Sequence, residues 1–86
     1  MTGTAGNDTL DGGNGNDVMC GLGGNDSING GNADDTLYGG DGDDIMGGNL
    51  GNDIINVQDV TGGDTANGGR RADTCTADAG DATTNC

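Results

Sequence analysis

A nine-residue period runs through this 86-residue chain and leaves it few ways to fold. The first unit is GTAGNDTLD (residues 3–11), followed by GGNGNDVMC (12–20), GLGGNDSIN (21–29), GGNADDTLY (30–38), GGDGDDIMG (39–47) and GNLGNDIIN (48–56). Val57 and Gln58 insert two residues, and the period resumes with DVTGGDTAN (59–67) and GGRRADTCT (68–76); the last stretch, ADAGDATTNC, fits only loosely. Position six is Asp in every unit: Asp8, Asp17, Asp26, Asp35, Asp44, Asp53, Asp64 and Asp73. Position eight is always apolar: Leu10, Met19, Ile28, Leu37, Met46, Ile55, Ala66 and Cys75. Position four is Gly except at Ala33 and Arg71. A nonapeptide cannot bury a face by itself, so the units must stack.

Each unit divides into a turn and a short strand. Its first six residues hold the glycines and the Asp, and glycine permits the positive φ and close backbone approach that a tight turn needs. Positions seven to nine then form a strand whose middle residue points inward and whose flanks point out, since side chains alternate. A turn of this kind aims main-chain carbonyls and a carboxylate at one point, which is the donor set that calcium takes, six to eight oxygens in all.

Composition sharpens this. The hydrophobic fraction is 29%, Tyr38 is the only aromatic residue, and the net charge is −13, so an ordinary globular core is out of reach. Such a balance usually means disorder. Two details oppose that reading: there is no proline, and all fifteen acids are Asp. Short carboxylates suit tight turns, where they hold backbone amides or a metal ion. The only cations are Arg70 and Arg71, so the chain should repel nucleic-acid phosphates and anionic membranes; neither is an expected partner. No transmembrane run and no signal peptide is visible, so export information is expected outside these residues.

The units resemble the repeats-in-toxin (RTX) nonapeptide G-G-x-G-x-D-x-U-x, with U a large aliphatic, over residues 3–76. The resemblance implies an all-β fold, a right-handed parallel β-roll of about four coils with two nonapeptides per coil, so that odd units stack on one side and even units on the other, and residues 77–86 as an irregular carboxyl-terminal cap. It also implies calcium ions between vertically neighbouring turns, each taking the position-six Asp of both. The eight Asp residues are therefore the expected ligands, joined by backbone carbonyls of Gly13, Gly15, Gly24, Gly31, Gly40, Gly42 and Gly51. Four Asp per column give three gaps each and up to six ions, whose twelve positive charges would leave a net charge of −1. Four of those sites are expected to be dependable. The two beside the Val57–Gln58 insertion are expected to be weaker, and Ala33 and Arg71 to weaken theirs. The extra acids Asp34, Asp41 and Asp43 are read as solvated, attracting cations at a distance.

Three cysteines do not make a full disulfide set. Cys75 takes an inward position and Cys86 follows about half a coil later, so the two either face each other or remain free thiols on a frayed tail. The segment ADTCTADAGDATTNC resembles terminal caps of actinobacterial RTX-like proteins, which implies a Cys75–Cys86 bridge, worth about 3 kcal/mol in the loop-entropy model. A disulfide cap suits a secreted, extracellular protein. Cys20 points outward on a face with Val18, Tyr38 and Ile54, opposite a face showing Thr9, Asp11, Ser27 and Asn29. That apolar face and an open amino-terminal edge are the candidate contacts of a weak homodimer; the plainer reading of Cys20 is an adventitious exposed thiol.

Without His, Lys or Glu, and with Ser27 the only serine, no nucleophile–base pair can be assembled, so no enzymatic activity is expected. The leading expectation is a calcium-binding structural module that folds outside the cell. The alternative is an ice-binding or surface-adhesive roll, suggested by Asn7, Asn16, Asn25 and Asn52 at position five. An ice face would pair these with a Thr row at position three, where only Thr61 stands.

Overall fold

The structure is a computed structural model describing residues 1–57, 63–77 and 80–86. Nine three-residue strands follow one another: β1 (Thr9–Asp11), β2 (Val18–Cys20), β3 (Ser27–Asn29), β4 (Thr36–Tyr38), β5 (Ile45–Gly47), β6 (Ile54–Asn56), β7 (Thr65–Asn67), β8 (Thr74–Thr76) and β9 (Ala82–Thr84). Odd strands form one parallel sheet, β1-β3-β5-β7-β9, and even strands the other, β2-β4-β6-β8. Pairing is in register by repeat position, so Leu10 meets Ile28 and Met19 meets Leu37. This is a β-solenoid of about four turns, with no helix among the described residues. Its extents are 28 × 25 × 12 Å.

The thin dimension is set by a single inward residue per strand. Met19, Ile28, Leu37, Met46, Ile55 and Ala66 are buried between the sheets, with Leu10 and Cys75 partly buried at the two ends. These eight inward residues come one from each of β1 to β8 and meet in one narrow core. Val57 belongs to that core as well, fully buried and donating its N–H to Thr76 O at 2.9 Å. Half of the two-residue insertion is therefore core, not an interruption. Gln58, Thr61 and Gly62 lie outside the described residues. The ladder nonetheless continues past them, pairing β5 with β7 and β6 with β8.

Both ends differ from expectation. Residues 77–86 are not wholly irregular, because β9 pairs with β7 and extends the odd sheet by one strand. Cys75 and Cys86 are joined by a disulfide, with Cα atoms 5.7 Å apart, and this ties the tail back to β8. At the amino end, Thr2 bridges Cys20 in parallel; the terminal ammonium donates to Val18 O at 2.7 Å, Cys20 N to Met1 O at 2.9 Å and Gly3 N to Cys20 O at 2.7 Å. The even sheet is thus covered there, and only β1 remains an outermost strand. Val18, Tyr38 and Ile54 are exposed on the even sheet, but Ile45 is equally exposed on the odd one, so the two faces contrast less than their sequences suggest.

From residue 12 onward, position two and position four of the described turns carry positive φ. Glycine usually supplies it, yet Leu22, Ala33, Asn49 and Arg71 adopt φ of 71°, 76°, 70° and 77° in the same places. Stacking holds these L residues in the left-handed region against a local penalty of about 1–2 kcal/mol. Ala33 and Arg71 therefore keep the turn's shape and strain it. Where glycine is present the spacing can demand it: a Cβ on Gly31 would collide with Gly13 O one coil earlier.

Candidate metal centre

The position-six carboxylates form two ladders. Each Oδ1 reaches back one coil to accept the amide of the preceding Asp in its column. In the odd column Asp26 accepts from Asp8 N (2.8 Å), Asp44 from Asp26 N (2.9 Å), Asp64 from Asp44 N (2.6 Å) and Asp81 from Asp64 N (3.0 Å). In the even column Asp35 accepts from Asp17 N (2.8 Å), Asp53 from Asp35 N (2.8 Å) and Asp73 from Asp53 N (2.7 Å). Both columns cross the insertion with this bond intact. Asp8, at the head of its column, has no earlier coil to reach; its carboxylate instead takes Thr4 N at 2.5 Å and Thr4 Oγ1 at 3.1 Å.

Asp81 was not apparent as a ninth ladder member. It follows Asp73 after eight residues instead of nine, so the period passes over it. The available signal was local: Gly80 precedes it with φ +99°, as Gly63 precedes Asp64 with φ +111°.

The second carboxylate oxygens define the electrostatic problem. Oδ2 of Asp17, Asp26, Asp35, Asp53 and Asp73 is buried and accepts no hydrogen bond. Asp26, Asp35 and Asp53 are at most 2% exposed as whole residues. A desolvated, half-satisfied carboxylate is costly unless a positive charge reaches it. Burial, the largest effect, raises the Asp35 pKa against the lowering effect of the Asp17 amide; repulsion from Asp17 and Asp34 adds to the rise. Burial likewise pushes Asp53 up to about 6, opposed by the Asp35 amide and aided by Asp73, Asp35 and Asp34.

Main-chain oxygens of the turns also meet the adjoining coil. Gly13 O accepts Asn32 N at 2.9 Å, Gly31 O accepts Leu50 N at 3.1 Å and Asn49 O accepts Arg70 N at 2.9 Å. Gly24 O, Leu22 O and Ala33 O abut Gly42, Gly40 and Gly51 of the next coil so closely that a Cβ there would collide. Of the expected carbonyls, those of Gly13, Gly24 and Gly31 thus face a neighbouring turn. Gly15, Gly40, Gly42 and Gly51 occupy equivalent turn positions with φ between +86° and +107°. Leu22, Ala33 and Asn49 join the set although their side chains gave no reason to name them.

Position five forms a third ladder, running the opposite way. Asn7 Oδ1 accepts Asn25 N (2.7 Å), Asn25 Oδ1 accepts Asp43 N (2.9 Å), Asn16 Oδ1 accepts Asp34 N (2.9 Å) and Asp34 Oδ1 accepts Asn52 N (2.8 Å). Oδ1 of Asn7, Asn16 and Asn25 is therefore engaged inside the turn stack, which accounts for these asparagines without an ice-facing row. Asp34, expected to be merely solvated, is a rung of this ladder.

Among the described residues no three His, Cys, Asp or Glu side chains converge. Any cation here meets carboxylates in ones and twos plus carbonyl oxygens, with no nitrogen or sulfur donor. That is a hard-cation environment, and its loosely arranged carbonyls suit calcium better than the strict octahedron of magnesium. The buried, unpartnered Oδ2 atoms carry the negative charge that such an ion would offset.

The pKa shifts carry a sign. Asp53 binds its proton more tightly when folded, so its stabilising contribution to the cation-free roll is full below about 3.8 and is lost as pH rises through about 6. Without calcium, β-structure should be greater at pH 4 than at pH 7. With calcium the order should reverse, since protons compete for the same oxygens. Circular dichroism across this range, with and without calcium, checks both signs; a calcium-free signal that grows with pH would contradict them.

The family described as RTX calcium-binding nonapeptide repeat, in four copies, matches residues 1–28 and 21–55, well over half of the chain. No curated protein and no solved structure gives a match. The repeat register, the parallel solenoid and this match agree: the chain belongs to the RTX calcium-binding nonapeptide-repeat family.

Proposed function

We propose that this chain is a calcium-dependent structural module that orders itself outside the cell, with ions seated between successive turns and no catalytic role of its own. The observation that carries the reading is the set of buried Oδ2 atoms without partners, those of Asp17, Asp26, Asp53 and Asp73 lying near the main-chain carbonyls of Gly30, Gly39, Gly68 and Asn85 in an adjoining coil. A hard divalent ion supplies the missing charge, and the position-six Asp residues with the turn carbonyls are its ligands. The disulfide and the need for abundant calcium both suit an oxidising, calcium-rich exterior. No helix among the described residues is long and apolar enough to cross a membrane. A weak association of copies through the exposed Val18, Tyr38 and Ile54 is a secondary part of the reading.

The ladder sets the ion count. Four Asp–Asp gaps in the odd column and three in the even column make seven candidate positions. That is one more than the six expected from eight repeats, the addition being the Asp64–Asp81 gap. Equilibrium dialysis with calcium should saturate at up to seven ions, and Asp81→Ala should remove one. A count that Asp81→Ala leaves unchanged removes the terminal gap from the proposal; no bound calcium at millimolar concentration overturns it entirely. Magnesium at equal concentration should leave most positions empty.

A further inference from the structure

Three pairs in this chain place glycine directly after asparagine: Asn14–Gly15, Asn29–Gly30 and Asn67–Gly68. Such pairs are open to spontaneous conversion. The amide nitrogen of the glycine loses its proton to water or hydroxide and attacks the asparagine Cγ. The Cγ–Nδ2 bond breaks, ammonia leaves, and water opens the resulting succinimide to aspartate or isoaspartate. Glycine permits this because no side chain shields its nitrogen. The step requires a free nucleophilic amide and an electrophilic side-chain carbonyl, and the roll distributes these two conditions unequally.

The electrophile is activated at all three sites. Asn14 Oδ1 accepts Asn32 Nδ2 at 2.7 Å, Asn29 Oδ1 accepts Asn49 Nδ2, and Asn67 Oδ1 accepts Gly69 N at 3.0 Å and Asn85 Nδ2 at 3.1 Å. Donors at that oxygen stabilise the charge it acquires during attack. The nucleophile separates them. Gly30 N donates to Gly47 O at 2.8 Å and Gly68 N to Thr84 O at 2.9 Å, so both amides are locked in the ladder between coils. Gly15 N has no acceptor among the described residues, and Asn14 and Gly15 are both exposed.

The cause is repeat register. Asn29–Gly30 and Asn67–Gly68 span the junction from position nine to position one, where the glycine amide always joins the parallel ladder. Asn14–Gly15 spans positions three and four, inside the turn, where it does not. We propose that Asn14 is a built-in modification site of the folded roll, converted in place to aspartate or isoaspartate, while the same chemistry at Asn29 and Asn67 is suppressed by the coil-to-coil hydrogen bonds. Conversion adds a carboxylate to an even-column turn, and the isoaspartate product adds a main-chain carbon there, so the module ages first at that turn. The two Asp–Gly pairs repeat the contrast: Gly12 N, after Asp11, donates to Asn29 O at 2.9 Å, whereas Gly42 N, after Asp41, has no acceptor.

The test is to hold the full chain at mildly alkaline pH, in calcium and in chelator, and follow each asparagine by peptide mass spectrometry with circular dichroism in parallel. In calcium Asn14 should convert on the order of tenfold faster than Asn29 or Asn67, because a protected amide reacts only through local opening. Isoaspartate should likewise form at Asp41 before Asp11. In chelator the three asparagine rates should converge, an arm that rests on the proposal that calcium orders the roll. If dichroism reports calcium-induced β-structure and Asn29 or Asn67 still keeps pace with Asn14, the modification site is wrong and the calcium reading stands. If dichroism is indifferent to calcium, the calcium reading fails alone; the rank of the three asparagines still decides the site, equal rates overturning it.

Discussion

Stripping calcium from this chain should expand it from a radius of gyration of 11.1 Å to about 29 Å, the size of an unfolded chain of this length. The apolar contribution is small: one inward side chain per strand, of which Ala66 is hardly larger than the backbone it covers. Against it stand the ordering entropy of a glycine-rich chain and a net charge of −13 drawn into a thickness of 12 Å. The Asp ladders add hydrogen bonds, yet at Asp26, Asp35, Asp53 and Asp73 they also bring a carboxylate out of water with one oxygen unpartnered. Ion binding reverses the balance, since a site held at a hundred times its dissociation constant contributes about 2.7 kcal/mol. Sites as weak as 10⁻⁴–10⁻³ M, typical of extracellular modules, suffice when several act together. The transition should accordingly be steep in calcium concentration. Small-angle scattering in chelator and in about 10 mM calcium measures it directly, with magnesium as the control. A compact chain in chelator would show that the core and ladders fold without the ion.

The columns were legible in the sequence because each carries a side chain with one job. Position eight must fill a slot one residue wide, and position six must offer a short carboxylate, so residue type reports structural role. The turn carbonyls that meet the next coil were legible only in part. Every residue has a carbonyl, so Leu22, Ala33 and Asn49 serve the turn as Gly13 and Gly31 do, and naming glycines alone sampled the position by its commonest occupant. Val57 was hidden because an insertion interrupts the count of positions while the core takes any apolar residue that reaches it. Asp81 was hidden by the loss of one residue. Its strand, β9, contains Ala82, Thr83 and Thr84, and Thr83 at the inward position gives no apolar signal. The residues that hold the amino-terminal edge, Met1 to Gly3, pair entirely through main-chain groups, to which side-chain patterns are blind.

Asp35 is the position at which these contributions separate most clearly. It is 1% exposed in the middle of the even column, its Oδ1 holds the Asp17 amide at 2.8 Å, and its Oδ2 has no partner. Asp35→Ala removes a proposed ligand shared by two gaps and strands the Asp17 N–H, so calcium-loaded stability should fall by about 3–5 kcal/mol, the scale for removing one partner of a buried charge pair. Asp11→Ala should cost no more than about 1 kcal/mol, since Asp11 lies exposed at the edge of β1 and only accepts Gly13 N at 3.1 Å. The decisive variant is Asp35→Asn. Its side-chain carbonyl can still accept the Asp17 amide, while the buried charge and its repulsion of Asp53 disappear. In calcium it should behave nearly as badly as alanine; in chelator it should be more ordered than the parent chain, because an uncompensated carboxylate has been neutralised. Urea unfolding in calcium and dichroism in chelator read the two arms. Equal losses for Asp35→Ala and Asp11→Ala would break the register assigned to position six. An Asp35→Asn chain less ordered than the parent in chelator would mean that the carboxylate stabilises the roll by itself and that the ion is not what it awaits.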